Sequence, residues 1–411
     1  MSKLALYGGK PVRKKLFPKW PMFTDKEKKG LLQVLESRLW GGYHPKVAEF
    51  EEKFATYHHA RFGITTVNGT ESLVAALKCC GVGAGDEVIV PPISFISTAS
   101  AVLLANALPV FVDVEPDTYN INPDCIENAL TSRTRAIIPV HFAGQPANMT
   151  RIMEIASKHN LSVIEDAAHA HGAEWKNKKV GSFGDFGSFS FQNTKLLTCG
   201  EGGALITNNK DLAASARSYG NQGRKKESGW FEHFTLGTNS RMTGFQAAIL
   251  LEQLKQLEKQ NKKRNSNIVY LSKKLRAIGG LEPLTIHPEV NFEAHYYLVC
   301  KYDQEKFNGM SKTKFFDALA AEGIPRPGFY PFPLNRNPLF INPTLSKPGA
   351  PLSFVKSAQR QDYHNLHLPA SEQACREGLW WMHETFLGTK EDMDDIARAV
   401  EKIREYANSK K

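Results

Sequence analysis

The chain has 411 residues, of which 42% are hydrophobic and 23% charged, the balance of an ordinary globular protein. Its longest apolar stretch, 101–112, is broken by Asn106 and Pro109 and falls short of the ~20 residues that a membrane-spanning helix needs. The net charge of +10 would suit nucleic acid. The basic clusters are short and lack interleaved aromatic residues, however, so we expect neither a nucleic-acid nor a membrane partner.

The amino terminus lacks the apolar core and small-residue cleavage site of a signal peptide, which predicts a cytoplasmic protein. The six cysteines are scattered and form no CxxC pair. In a chain this long, that pattern predicts reduced thiols and no metal site. Cys199 lies near a lysine discussed below, but its local sequence offers no base, so we interpret it as a packing residue.

Residues 1–24 are rich in proline and predict an irregular segment. Thr24, with Glu27 three residues later, has the form of a capping box, which predicts a helix start. From residue 61 onward, apolar β-rich runs alternate with helical ones. The candidate strands are 63–67, 87–90, 109–114, 136–141 and 161–165. This alternation predicts a large α/β domain over residues 25–270, with a mostly parallel sheet covered by helices on both faces.

A long helix rich in Gln, Lys and Leu is predicted over about 243–275, leading out of the large domain. From residue 271 to 411, proline becomes more frequent and strand and helix signals mix, which predicts a smaller α+β domain. The segment 323–351 carries many prolines and predicts a long loop. Loops of this length in compact domains are often functional.

Lys195 lies between a strand pattern, in which Phe189 and Phe191 alternate with serines, and the glycine-rich turn 200–203. An isolated lysine in such a place most often only reaches out to water from a half-buried strand end. The alternative is a Schiff-base lysine, whose desolvated amine loses its proton more easily and attacks a carbonyl.

Asp166 favours the second interpretation of Lys195. Residues 161–165 form a short apolar strand pattern that ends in acidic and then small residues. In an open α/β sheet, ligands bind at the carboxyl ends of the strands. A lysine for an aldehyde and an aspartate for a pyridinium nitrogen are the pair that pyridoxal 5′-phosphate (PLP) requires, so we predict a PLP site here.

Further residues could complete this site. The run 68–70 joins a strand to a helix start, whose free N–H groups and positive dipole end suit a phosphate, although a plain helix cap is the alternative. Ser190 could add a hydroxyl or be an ordinary strand serine. Phe95 could cover the ring face of the cofactor or pack in the core. His169 and His171 could contact the ligand or be structural.

Six stretches carry a resemblance to a known family: NGTESLVAAL, PPISFISTAS, IPVHFAGQPANM, EDAAHAHGAEW, FSFQNTKLLTCGEGGALIT and LGTNSRMTGFQAAILLEQL. Together they resemble the DegT/DnrJ/StrS aminotransferases, over about residues 20–403. The resemblance implies the PLP-dependent fold type I, like that of aspartate aminotransferase. It also implies transfer of an amino group from glutamine or glutamate to a keto-sugar or keto-cyclitol.

Within that family, the chain is similar to scyllo-inosose aminotransferases and equally to 3-amino-5-hydroxybenzoate synthases. The first likeness implies a role in amino-sugar, aminocyclitol or antibiotic biosynthesis. Two alternatives stay open: a synthase-like PLP dehydratase, and a non-catalytic regulator that binds PLP or a sugar and uses its basic surface on nucleic acid.

Carried over residue by residue, the resemblance implies that Lys195 is the covalent and proton-transferring residue and that Asp166 pairs with the ring nitrogen. The other implied cofactor contacts are Gly69, Thr70 and Ser190 at the phosphate, Phe95 on the ring face, and His169, often glutamine in relatives, beside the ring hydroxyl. Asn239 matches a phosphate contact from the neighbouring subunit, which implies a homodimer with shared sites. Candidates for the substrate pocket, with packing as the equal alternative, are Trp40, Tyr43, His295, Tyr330 and His383.

Overall fold

A computed structural model describes residues 3–227, 229–356 and 359–409 of the chain. The strands are β1 (Phe62–Thr66), β2 (Glu87–Val90), β3 (Leu108–Phe111), β4 (Thr134–Ile137), β5 (Ser162–Asp166), β6 (Glu174–Trp175), β7 (Lys178–Lys179), β8 (Phe186–Ser190), β9 (Gly203–Thr207), β10 (Leu281–Pro283), β11 (Val290–Phe292), β12 (Tyr297–Tyr302) and β13 (Gly378–Met382). The α-helices are α1 (Asp25–Ser37), α2 (Pro45–Tyr57), α3 (Gly69–Cys79), α4 (Ser97–Leu104), α5 (Met149–His159), α6 (Lys210–Gly220), α7 (Gly244–Ile278), α8 (Lys312–Ala321), α9 (Pro369–Glu377) and α10 (Lys390–Asn408).

Among the described residues, the main sheet has seven strands in the order β1-β9-β8-β5-β4-β2-β3. Only β9 runs against its two neighbours; the other pairings in the sheet are parallel. Along β2, Val88 and Val90 pack with α3, α4 and α6, whereas Ile89 packs with α2, α5 and the start of α7. Because successive side chains of a strand point to opposite faces, helices cover both faces of the sheet. The predicted α/β architecture is therefore confirmed.

The smaller part of the chain is built on the antiparallel sheet β10-β12-β13, packed against α8, α10 and the end of α7. Helix α7 begins with a capping box of Thr243 and Gln246 and runs 35 residues. Its first half packs with the large sheet and its second half with the small one. The predicted long helix is present, and the domain boundaries at residues 24 and 270 stay predictions.

Before α1, the described part of the amino-terminal segment is mostly irregular but is held in place. Arg13 is buried and makes 2.7 Å ion pairs with Asp392 and Asp395 of α10. The predicted capping box of Thr24 and Glu27 is present. Between α8 and α9, only short 3-10 turns interrupt the described loop. The described helices include none of the length and apolarity needed to cross a membrane.

Candidate active site

Asp166 is the last residue of β5, in the middle of the main sheet between β4 and β8. Its Oδ2 accepts a 2.7 Å hydrogen bond from Thr98 Oγ1, and its Oδ1 accepts one of 3.3 Å from the Ala168 N–H. Burial raises the pKa of this carboxyl group, while these hydrogen bonds and the charge of Lys195 lower it. The described residues provide no ion pair to Asp166, so its carboxylate can pair with a cationic nitrogen of a ligand.

Glu165 fixes the end of the same strand from the opposite face. It is fully buried and accepts N–H bonds of 2.7, 2.7 and 2.9 Å from residues 181, 183 and 184. It also accepts a bond from His141 Nε2 at 3.1 Å. Because His141 Nδ1 accepts a bond from the Ala147 N–H, the imidazole carries its proton on Nε2. The sequence carries no local signal for this pair, because the partners are distant in the chain.

Lys195 lies in the connection between β8 and β9. Its Nζ is 4.5 Å from the centroid of the Tyr296 ring, and Tyr296 stacks on His169 with the ring centroids 4.3 Å apart. The charge of Lys195 lowers the pKa of both Asp166 and His169. The structure thus brings the amine, the carboxylate and the imidazole to one end of the main sheet. Tyr296 was not found from the sequence.

His169 is 5% exposed, and its Nδ1 is buried without a hydrogen-bond partner among the described residues. Burial, with the nearby charge of Lys195, holds the pKa of its imidazole well below the usual range, so the ring is neutral. A ring nitrogen of a neutral imidazole that has no partner can form a hydrogen bond with a hydroxyl group of a ligand. His171 is also buried, and its ring nitrogens likewise lack a hydrogen-bond partner among the described residues. Its contacts with the rings of Phe54 and Phe189 favour a structural role.

The start of α3 and the end of β8 form the second part of the site. A Cβ on Gly69 would lie 2.7 Å from Ser190 Cβ, so only glycine allows this approach. Asp166 pairs with Ser188 in the sheet, which places Ser190, the last residue of β8, two positions past the level of Asp166. Thr70 Oγ1 lies 2.7 Å from Ser97 Oγ. These hydroxyls stand at a helix amino terminus, where N–H groups and the helix dipole favour an anion.

Phe95 and Asn239 are exposed in the single chain. Phe95, in the turn before α4, is 59% exposed and is therefore not a core residue. Asn239 pairs with Asn221 through an isolated β-bridge, and its side chain faces outward. Both are accessible to a ligand or to a second chain.

Three of the five candidates for the substrate pocket contact residues other than Lys195 and Asp166. Trp40 is half exposed and packs near Phe245, and Tyr43 donates a 3.0 Å hydrogen bond to Asn221 Oδ1. His295 is buried, with its Nδ1 3.1 Å from Glu293 Oε1. It lines a separate cavity of about 260 Å³.

The other two candidates lie beside Lys195 and Asp166. Tyr330 packs edge-on against Trp380 at 4.9 Å. Its pKa is raised by burial and further by neighbouring groups that include Asp166. His383 is fully buried, and its Nε2 donates a 2.9 Å hydrogen bond to the carbonyl oxygen of Thr194, the residue before Lys195.

This donor set fits PLP. The amine of Lys195 suits the aldehyde, the desolvated carboxylate of Asp166 suits a protonated ring nitrogen, and the unpaired nitrogen of His169 suits the ring hydroxyl. The helix start at Gly69, with the hydroxyls of Thr70 and Ser190 nearby, suits the phosphate. Among the described residues, no three or more His, Cys, Asp or Glu side chains are grouped as metal ligands.

Comparison with known proteins agrees with this geometry. The model of the DegT/DnrJ/EryC1/StrS aminotransferase family matches residues 21–401. A protein of Streptoalloteichus tenebrarius, provisionally named L-glutamine:3-amino-2,3-dideoxy-scyllo-inosose aminotransferase, is 41% identical over 412 residues, covering 98% of each chain. The L-glutamine:scyllo-inosose aminotransferase of Streptomyces griseus is 38% identical over 420 residues, covering 98% of this chain and 97% of the relative.

A crystal structure of 3-amino-5-hydroxybenzoic acid synthase superposes on this chain with a TM-score of 0.84 and 31% sequence identity. The superposition covers 97% of this chain and 100% of the synthase. The similarity therefore includes both sheets and the loops that carry the candidate site.

Proposed function

Because the chain belongs to the DegT/DnrJ/EryC1/StrS aminotransferase family, we propose that it transfers the α-amino group of L-glutamine to the keto group of a scyllo-inosose-type cyclitol. It is a PLP-dependent aminotransferase of fold type I. The observation that carries the proposed substrates is the similarity over 98% of the chain to two L-glutamine:cyclitol aminotransferases. Glutamate is the alternative donor. We place the reaction in aminocyclitol biosynthesis in the cytoplasm.

The roles of the two central residues follow from their environments. Bound PLP supplies an aldehyde for the amine and a ring that withdraws electrons. A desolvated carboxylate gains most from a cationic neighbour, so Asp166 keeps the ring nitrogen protonated. Lys195, on a loop held close to that carboxylate, would take the proton from the α-carbon of the donor and deliver it to the carbon that carried the cofactor aldehyde, acting first as base and then as acid.

The remaining cofactor contacts are proposed on geometry. Gly69, Thr70 and Ser190 hold the phosphate, because Ser190 packs against Gly69 at the amino terminus of α3 and Thr70 adds a hydroxyl in the same first turn. Phe95 covers one ring face, which is consistent with the 59% exposure of its side chain. His169 binds the ring hydroxyl through its unpaired nitrogen.

We further propose that the enzyme is a homodimer whose sites are shared. Within the described segment 229–239, four large apolar side chains are 51% to 96% exposed; they are Trp230, Phe231, Phe234 and Leu236. An exposed apolar cluster of this kind marks a protein contact. The same segment ends at Asn239, so a second copy that covers the cluster can receive Asn239 at the phosphate of its own site.

A direct amino-transfer assay tests the proposal. The purified enzyme with PLP is incubated with L-glutamine labelled with ¹⁵N at the α-amino group, and scyllo-inosose, 2-deoxy-scyllo-inosose, its 3-amino derivative and a nucleotide-linked keto-sugar are offered in turn. We expect a ¹⁵N-labelled aminocyclitol by mass spectrometry and α-keto acid in equal amount. Label in the nucleotide sugar alone would contradict the cyclitol assignment.

The second candidate function is PLP-dependent dehydration to an aromatic amino acid, which the superposition on the benzoic acid synthase favours. An aminocyclohexenone carboxylic acid is offered without an amino donor, and the aromatic product is followed by its ultraviolet absorbance. Aromatic product with no labelled aminocyclitol would establish this function instead. A non-catalytic regulator would give neither product and would bind DNA in a salt-dependent manner.

A further inference from the structure

The turn that carries Lys195 is closed by its own hydrogen bonds. Gln192 Oε1 accepts bonds from both Thr194 N–H and Thr194 Oγ1, each of 2.8 Å. The N–H of Lys195 donates to the Gln192 carbonyl at 2.8 Å. These bonds give the turn its shape, but they do not fix it relative to the rest of the protein.

Three side chains from distant parts of the chain supply that fixation. His383 Nε2 donates to the Thr194 carbonyl oxygen at 2.9 Å. Tyr296 Oη lies 2.7 Å from Thr194 Oγ1, and because the proton of that hydroxyl goes to Gln192, Tyr296 is the donor. Trp20 Nε1 donates to the Asn193 carbonyl at 3.0 Å. The two residues before Lys195 are thus held from the amino-terminal segment and from the small sheet.

Two of these donors share one position in the small sheet. Tyr297 and Met382 face each other as paired residues of β12 and β13. Tyr296 and His383 are the residues next to that pair, so both lie at the same end of the ladder. Their ring centroids are 5.8 Å apart and their ring planes are inclined by 28°. Any shift of β12 and β13 therefore moves both donors together.

The protonation state of the His383 imidazole suits a hydrogen-bond donor. It is 0% exposed, and burial, with the charge of Arg264, holds the pKa of its imidazole well below the usual range. The ring is therefore neutral and carries its single proton on Nε2, since a carbonyl oxygen can only accept. The edge of Trp20 packs against it at 4.7 Å. A neutral donor can fix the peptide without placing a second positive charge beside Lys195.

We propose that His383, supported by Tyr296, is a positioning residue that ties the small sheet to the turn of Lys195 and holds the amine where it meets the cofactor aldehyde. Because His383 is fully buried and its Nε2 is bonded to the Thr194 carbonyl oxygen, it positions Lys195 and does not contact the substrate. The proposal rests on the proposed role of Lys195, but the anchoring itself can be tested without the reaction.

The test compares four variants. His383→Leu removes the donor and keeps an apolar side chain of similar size, whereas His383→Gln keeps an N–H donor near the position of Nε2. Tyr296→Phe removes only the hydroxyl. The matched control is His367→Leu, at a histidine whose side chain is 83% exposed. Thermal unfolding of each cofactor-free variant first establishes that it is folded.

The first measurement is hydrogen exchange of the cofactor-free chains, read by mass spectrometry on the peptide that contains Lys195. We expect exchange at residues 193–196 to be about tenfold faster in His383→Leu, less so in Tyr296→Phe, and unchanged in His383→Gln and the control. The second is the rate at which added PLP becomes reducible onto Lys195 by borohydride. We expect a fall of about 10- to 100-fold in His383→Leu with rescue by His383→Gln.

Two results would overturn the inference. One is a folded His383→Leu chain with unchanged exchange and unchanged PLP capture. The other is a His383→Gln chain that behaves like His383→Leu, since the donor would then not be what matters. Failure of the amino-transfer proposal is a separate outcome, because it would leave the exchange pattern of the cofactor-free chains as expected here.

Discussion

The turn 192–195 and the segment 229–239 both lie next to glycine-rich or glycine-containing connections, yet they are built in opposite ways. The turn receives donors from three distant parts of the chain, all of which end on its backbone or on Thr194. The segment also has its backbone bonded, for example from the Phe234 N–H to the Gly223 carbonyl. Its large side chains, however, remain exposed.

We interpret this difference as one between a region that a single chain completes and a region that a second chain would cover in the proposed homodimer. In the turn, the carbonyl oxygens of Asn193 and Thr194 and the Thr194 hydroxyl are bonded by donors of the same chain. Such support is what the accurate placement of a neighbouring side chain requires. The segment leaves apolar area uncovered at a place where its backbone is already fixed, which is the property of an interface. The two regions meet functionally only if Asn239 of one chain reaches the phosphate end of another.

The largest expected effect removes the amine and leaves its anchors in place. Lys195→Ala should lower amino transfer by at least about 10³-fold, because we propose this residue as both nucleophile and proton carrier. None of the anchoring bonds ends on the lysine side chain, so the variant should unfold at the temperature of the parent chain. Activity is measured with labelled glutamine and stability by calorimetry; an active Lys195→Ala enzyme would refute the site.

The next prediction concerns the exposed segment. Leu236 is 96% exposed, so Leu236→Asp should leave the fold of a single chain intact. A buried, unpaired carboxylate at an interface is strongly unfavourable, so we expect monomers by light scattering and weaker PLP binding. Leu16→Asp, at a residue 78% exposed elsewhere on the chain, is the control.

Mixing two inactive variants sharpens the same point. In a mixed dimer, one chain carries Lys195→Ala and the other Asn239→Ala. If Asn239 acts across the interface, both substitutions fall in the same site, and the other site is unaltered. Random mixing should then restore about a quarter of the parent activity, since half of the dimers are mixed and each has one such site. No recovery after exchange of subunits would place Asn239 and Lys195 in the same chain's site.

The sequence was most informative where the chemistry is local. Lys195 and Asp166 could be predicted as a PLP site because Asp166 ends one strand pattern and Lys195 follows another. A lysine and an aspartate near the ends of buried strands are also the pair that this cofactor requires. The strand predicted over 63–67 is observed as Phe62–Thr66, and 161–165 as Ser162–Asp166. The run 136–141 is a strand only to Ile137, because Pro139 has no N–H to continue the ladder; Val140 still pairs with Asp166 through an isolated β-bridge.

The anchors could not be predicted in the same way. Thr98, Tyr296 and His383 contact Asp166 or the turn of Lys195 only after strands far apart in sequence have paired. His383 was predicted as a pocket residue; it is fully buried, and the register of β12 and β13 places it beside the pair of Tyr297 and Met382. A local sequence pattern can therefore indicate candidate reactive groups. The side chains that position those groups depend on how distant strands pair.

Asp166 offers a smaller and less obvious prediction. Its folded pKa is raised by burial, so in the cofactor-free chain its contribution to the free energy of unfolding falls as pH rises from its unfolded pKa of about 3.9 through the raised value. Asp166→Asn should therefore make the cofactor-free chain more stable at neutral pH, because the amide has no charge to desolvate. Urea unfolding at several pH values compares the two chains; a less stable Asp166→Asn chain would contradict the argument.

The smallest effect is expected at Cys199, four residues beyond Lys195 on the edge of the anchored turn. Burial, with the charge of Glu201, raises the pKa of its thiol well above the usual range, and its Sγ donates to the Glu201 carbonyl at 3.2 Å. A thiol held protonated in this way is a poor nucleophile. Cys199→Ser keeps a donor of similar size, so amino transfer should stay within about twofold of the parent. A larger loss, with unchanged hydrogen exchange at residues 193–196, would show that the thiol has a chemical role which the anchored turn alone does not explain.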